Sequence, residues 1–199
     1  MQKSVTVSST LELKTFIKNL KKSKLIKLSA VYPHKKAIQF IPKTGGLYMF
    51  WWSGEIELLL KKIKTHKHVL KGKQTEEEMV NIKFNNDWIN MATKGKKICL
   101  YIGKTTNLQQ RITSHVKPET KDIWGNIGFE SGRKPNTVSQ MRSGIEKIFK
   151  EKEGLDIVLK NVSFCYLEIN GVSNCVNRFY LEDLFVGTYF PLLNIDIER

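Results

Sequence analysis

Between Lys96 and Lys117 the chain carries a phenol (Tyr101), an ammonium (Lys104), a guanidinium (Arg111) and an imidazole (His115). Convergence of these four types would make a site for a phosphate. The guanidinium grips two oxygens, the ammonium adds charge, and the phenol and imidazole position or move a proton. The local pattern explains how they could converge. Ile98, Cys99, Leu100, Tyr101 and Ile102 form an apolar run that reads as a buried strand. Gly103 is expected to break it, and Thr105, Thr106 and Asn107 supply turn chemistry. Asn107 followed by Gln110 has the spacing of a capping box, so a helix should begin there, and Arg111 and His115, four apart, share one of its faces. Gly103-Lys104-Thr105 is not the end of a nucleotide-binding loop, because Ile98 stands where that motif requires its first glycine.

Further residues extend the constellation. Gly46-Leu47-Tyr48 and Tyr101-Ile102-Gly103, followed by Arg111, His115, Glu182 and the Asn194 of Pro191-Leu192-Leu193-Asn194, occur in that order. In this the chain resembles the GIY-YIG nucleases, over about half its length. The resemblance implies an α+β fold with a small antiparallel three-stranded catalytic sheet flanked by helices. It also implies a Mg²⁺-dependent (or Mn²⁺-dependent) endonuclease acting on double-stranded DNA. Glu182 would hold the metal, Arg111 would stabilise charge on the phosphate, and Tyr48 and Tyr101 would position water and phosphate. Lys104 would contact the phosphate or depress a phenol, and Asn194 would brace the site. The general base is Tyr48 by resemblance, with His115, which titrates nearer neutrality, as its rival.

The chain departs from the family in an N-terminal extension, residues 1–40, and a long excursion, residues 53–95, between the two signature strands. Lacking a recognisable DNA-reading domain, it looks most like the stand-alone restriction enzymes of the family, with a homodimer possible. The alternatives are a structure-specific repair or mobile-element nuclease, and an inactive DNA-binding protein.

Charge agrees with a polyanionic partner. The 199 residues include 33 Lys and Arg against 19 Asp and Glu, a formal charge of +14. Candidate phosphate contacts are Lys61, Lys62 and Lys64 in the excursion, with Arg133, Lys134 and Arg142. No apolar run is long enough to cross a bilayer, and Cys99, Cys165 and Cys175 have no metal-ligand spacing. A cytoplasmic protein with reduced core cysteines is expected.

The remaining pattern predicts one domain of helices around a small sheet. Helices are expected over 10–22, from Ile56, from Thr75, from Asn136 or Thr137, and over Cys175–Tyr189. Strands are expected at Leu25–Val31, Leu47–Trp52 and Val162–Ile169, and turns at Asn85-Asn86-Asp87 and Thr93-Lys94-Gly95.

Overall fold

The computed structural model describes residues 7–32, 38–66, 68–70, 80–116, 139–150 and 153–195. The helix expected from Thr75 and the Pro118–Pro135 stretch, with Arg133 and Lys134, lie outside these residues. Among the described residues, seven α-helices and seven strands follow in chain order: α1 (Thr10–Lys22), β1 (Ile26–Lys27), β2 (Gly46–Trp52), α2 (Ile56–Thr65), β3 (His68–Leu70), β4 (Val80–Ile82), α3 (Asn86–Ala92), β5 (Thr93–Lys94), β6 (Lys97–Thr105), α4 (Leu108–Val116), α5 (Gln140–Ile148), α6 (Gly154–Asn161), β7 (Val162–Glu168) and α7 (Cys175–Tyr189). The fold is α+β. Its main sheet is antiparallel with five strands, ordered β1-β7-β2-β6-β5, rather than three. The two extra strands are short edge pieces; β7, β2 and β6 form the body. β3 and β4 pair separately within the excursion.

Every residue of β2 is buried, which explains its unbroken apolar sequence: helices cover both faces of the sheet. Tyr48, Phe50 and Trp52 point to the side holding α2, α4 and α5, whose contributions include Leu59, Ile63, Ile112 and Ile145. Leu47, Met49 and Trp51 point to the other side, against Leu20 of α1 and Leu181, Phe185 and Tyr189 of α7. Each such fully buried side chain contributes about 1.5–3 kcal/mol through the apolar surface it removes from water.

A bulge in β6 decides which side Tyr101 faces. Trp51 pairs with Cys99, but Phe50 pairs with Tyr101, leaving Leu100 as an extra residue. Without it the alternation would put Tyr101 opposite Met49, on the far face from Tyr48.

Several local expectations are corrected. Gly103 does not break the strand; β6 runs on to Thr105 because Tyr48 and Leu47 continue to pair with Gly103 and Lys104. Leu25–Val31 is only a two-residue strand followed by a 3₁₀ turn. Asn85 is a helix cap rather than a turn residue, its side chain accepting from the Trp88 backbone N–H at 2.8 Å. α5 is capped by Ser139, and α6 was not anticipated. On α7, Phe179 and Leu184 face outward. Cys99 and Cys165 are core residues, while Cys175 is exposed.

Candidate active site

Two elements on one face of the sheet deliver the phenols and their partners. β2 and β6 carry Tyr48 and Tyr101, whose rings stack at 25° with centroids 6.2 Å apart. α4 lies over them and starts as expected, with Asn107 Oδ1 accepting from the Gln110 backbone N–H at 3.0 Å. Its Arg111 Nε donates to Tyr48 Oη at 3.1 Å, and His115 Nε2 is 3.0 Å from the same oxygen. His115 Nδ1 in turn hydrogen-bonds Ser139 Oγ, and that oxygen also accepts from the Arg142 backbone N–H at 3.0 Å. Arg111, His115, Tyr48 and Tyr101 therefore form one connected cluster. Ser139 belongs to it and was not singled out from sequence; the signal was there, since serine is a favoured residue immediately before a helix.

Glu182 reaches the cluster from elsewhere. α7 packs on the opposite face of the sheet, but β6 is an edge strand beyond Ile98, and Glu182 stands at that edge. Its Oε1 accepts from the Lys104 backbone N–H at 3.0 Å, and its Oε2 pairs with Lys104 Nζ. The same edge is closed by the C-terminal segment. Leu192 and Leu193 donate backbone N–H groups to Cys99 and Leu100. The Asn194 amide accepts from Ile102 N–H at 2.8 Å and donates to Ile102 C=O at 2.7 Å, as a neighbouring strand would. Asn194 thus braces β6 through the backbone of Ile102.

The electrostatics follow from burial and charge. Burial pushes the Tyr48 phenol far above its ordinary range, the neighbouring Tyr101 adds to this, and Arg111 pulls it back only partly. Tyr101 is raised in the same way by burial and then Glu182, with Arg111 opposing. Glu182 is thus close enough for its charge to act on both phenols. Burial works against the charge on Arg111, but the two phenols more than offset this and push it further up. His115 is pulled well below its ordinary range by burial, then by Arg111 and Arg142, so its imidazole is neutral.

Residues 88–152 match the model of the GIY-YIG catalytic domain. The match covers about a third of the chain and supports a nuclease function. It includes Tyr101, Lys104, Arg111, His115 and Ser139; Tyr48, Glu182 and Asn194 lie outside it and are joined to the GIY-YIG segment by the fold. Neither the comparison with curated proteins nor that with solved structures finds a match.

The candidate DNA contacts divide. Lys61 and Lys64 are exposed on α2, and Lys62 is half-buried there. Arg142 is a correction: it is 1% exposed, on the buried face of α5, with its Nε donating to Glu146 Oε1 at 2.5 Å. A buried carboxylate one helical turn on holds it inside.

Proposed function

We propose that this protein is a Mg²⁺- or Mn²⁺-dependent endonuclease that hydrolyses phosphodiester bonds in double-stranded DNA, working as a cytoplasmic restriction enzyme and as a homodimer. The observation that carries the chemistry is the meeting of Tyr48, Tyr101, Arg111 and His115 beside a β6 edge that also holds Glu182. A single carboxylate fits Mg²⁺, which keeps most of its waters and takes few protein ligands. The Lys104 ammonium already resting on Glu182 is a stand-in for such a cation. When bound there, a divalent ion would supply charge to the leaving oxygen.

The protein's own groups do the rest. Arg111, half-buried and charged, places its guanidinium beside the phenols, where a phosphate would accept from it as charge develops. Tyr48 and Tyr101 orient the attacking water, and either can take its proton only after losing its own, which burial opposes and cations favour. Asn194 holds β6 in register with the C-terminal segment, and so fixes Tyr101 and Lys104. The exposed lysines of α2 and the net charge of +14 would bind the DNA backbone.

Digestion of supercoiled plasmid with wild type and Glu182→Ala tests the reading. Discrete Mg²⁺-dependent fragments are expected from the wild type, with DNA binding but no cutting from the variant. Cutting that survives Glu182→Ala, or a wild type that only binds, would sink it. Cutting confined to flaps or branches would replace restriction with repair.

A further inference from the structure

The fully buried imidazole of His115 faces one hydroxyl oxygen at each nitrogen: Tyr48 Oη at Nε2 and Ser139 Oγ at Nδ1. A neutral imidazole has one donor and one acceptor, so one hydroxyl must donate to it and the other must accept. The proton count differs on the two sides. Ser139 is itself buried and caps α5, its Oγ already accepting from the Arg142 backbone N–H. Were Nδ1 the protonated nitrogen, that oxygen would accept twice and the serine's own proton would be left buried with no acceptor among the described residues, a condition folded proteins avoid. The tyrosine side has an outlet. Tyr48 Oη accepts from Arg111, and the hydroxyl of Tyr101 lies within hydrogen-bonding reach to take the Tyr48 proton.

We infer that the Ser139 hydroxyl donates to Nδ1 of His115 and holds the ring as the Nε2–H tautomer, so that His115 donates to Tyr48 and is not a proton acceptor. Ser139 is then a positioning residue that acts through the imidazole. Its consequence for catalysis rests on the nuclease reading. Tyr48 Oη receives hydrogen bonds from Arg111 and His115 together, both of which strengthen when that oxygen is an anion. Tyr48 oxygen can take the proton of the attacking water only after the phenol has released its own to solvent. Arg111 and His115 then stabilise the phenolate, and His115 keeps its own protonation throughout.

Long-range ¹⁵N–¹H NMR of the uniformly labelled full chain reads the tautomer directly, with the His115 signals assigned from a His115→Gln variant. At neutral pH the wild type should show His115 with a protonated Nε2 and a bare Nδ1. Ser139→Thr, which keeps both the hydroxyl and a capping side chain, should look the same and cleave plasmid at the wild-type rate. Ser139→Ala should lose the Nε2–H preference, and its kcat should fall roughly 10²-fold, at the low end of what a positioned proton-transfer group contributes, with unchanged DNA Kd. A protonated Nδ1 in the wild type would overturn the inference, as would Ser139→Ala keeping both the tautomer and the rate. A wild type that shows the Nε2–H tautomer yet never cleaves would leave the serine's role intact and remove the nuclease reading alone.

Discussion

Tyr48 and Gly103 stand opposite each other across β2 and β6, and the phenol lies over the glycine. A Cβ at position 103 would sit 2.4 Å from Tyr48 Oη and 2.5 Å from its Cζ, closer than any real contact. The glycine is needed for this approach, since its φ is not in the left-handed region. Gly103→Ala should push the hydroxyl away from Arg111 and His115. Displacements of about 1 Å in such groups can cost 10²-fold in rate, and overpacking typically costs about 1–3 kcal/mol in stability. Plasmid cleavage and urea unfolding should show both losses. Gly187→Ala is the control: nothing lies within 4 Å of its added Cβ, it sits inside α7, and it should gain about 0.5–1 kcal/mol and cleave normally.

The Arg142–Glu146 pair is buried on both sides, at 2% side-chain exposure each. Removing one partner takes a countercharge away from the other where water cannot reach it. Arg142→Met should therefore cost about 3–5 kcal/mol in urea unfolding, while Arg142→Met with Glu146→Leu should recover most of that. Neither change should weaken DNA binding in the folded protein, in contrast to a surface arginine. A folded Arg142→Met protein with much reduced DNA affinity would restore the arginine to the DNA-facing surface.

Much of this arrangement could be read from residue patterns. Arg111 and His115 were placed by a capping residue and a helical spacing, and α7 by an apolar stripe that ends before Pro191, because both signals are local. What escaped depends on contacts distant in sequence. The bulge at Leu100 leaves no mark in its own composition, yet it decides the face of Tyr101. Glu182 was singled out only through the family resemblance; that its helix packs behind the sheet and its carboxylate comes round the open edge is a matter of packing. Arg142 was misread because a helical surface pattern cannot reveal a carboxylate one turn away as a buried partner. α3 was missed because Asn85-Asn86-Asp87 has the same composition as a turn and as a helix start.

Lys104 and Glu182 hold each other at the edge of β6, the lysine side chain 37% exposed and the carboxylate 17%. On the proposed reading, a divalent ion held by Glu182 would compete with this ammonium for the same oxygen. In Lys104→Ala the half-saturating Mg²⁺ concentration for cleavage should fall several-fold while the maximal rate also drops, since charge beside the phosphate is lost. An unchanged Mg²⁺ requirement, measured by initial rates over a metal titration, would mean that the ion does not use Glu182.

The lysines of α2 give a salt test. Lys61 and Lys64 are exposed on the outer side of a helix whose Leu59 and Ile63 are in the core. Lys61→Ala with Lys64→Ala should weaken DNA binding with no sequence preference. It should also shrink the slope of log K against log salt by about 0.9 per phosphate contact removed. Fluorescence anisotropy at several salt concentrations reads both quantities; a slope equal to that of the wild type would exclude α2 from the DNA-binding surface.

Stability should depend on pH through His115. The folded protein keeps this imidazole neutral, because it is buried and flanked by Arg111 and Arg142, whereas the unfolded chain takes up a proton near its ordinary value of about 6.5. Below that value the unfolded state binds more protons than the folded one. The contribution is therefore fully present above about pH 6.5 and is lost as pH falls toward the depressed folded value. Its slope can reach at most about 1.4 kcal/mol per pH unit. Urea unfolding of wild type and His115→Gln between about pH 5 and 8 isolates the effect, since glutamine does not titrate. The wild type should lose more stability than the variant on acidification. Parallel curves would mean that folding does not lower the affinity of this imidazole for a proton, against the effect of its burial beside Arg111 and Arg142.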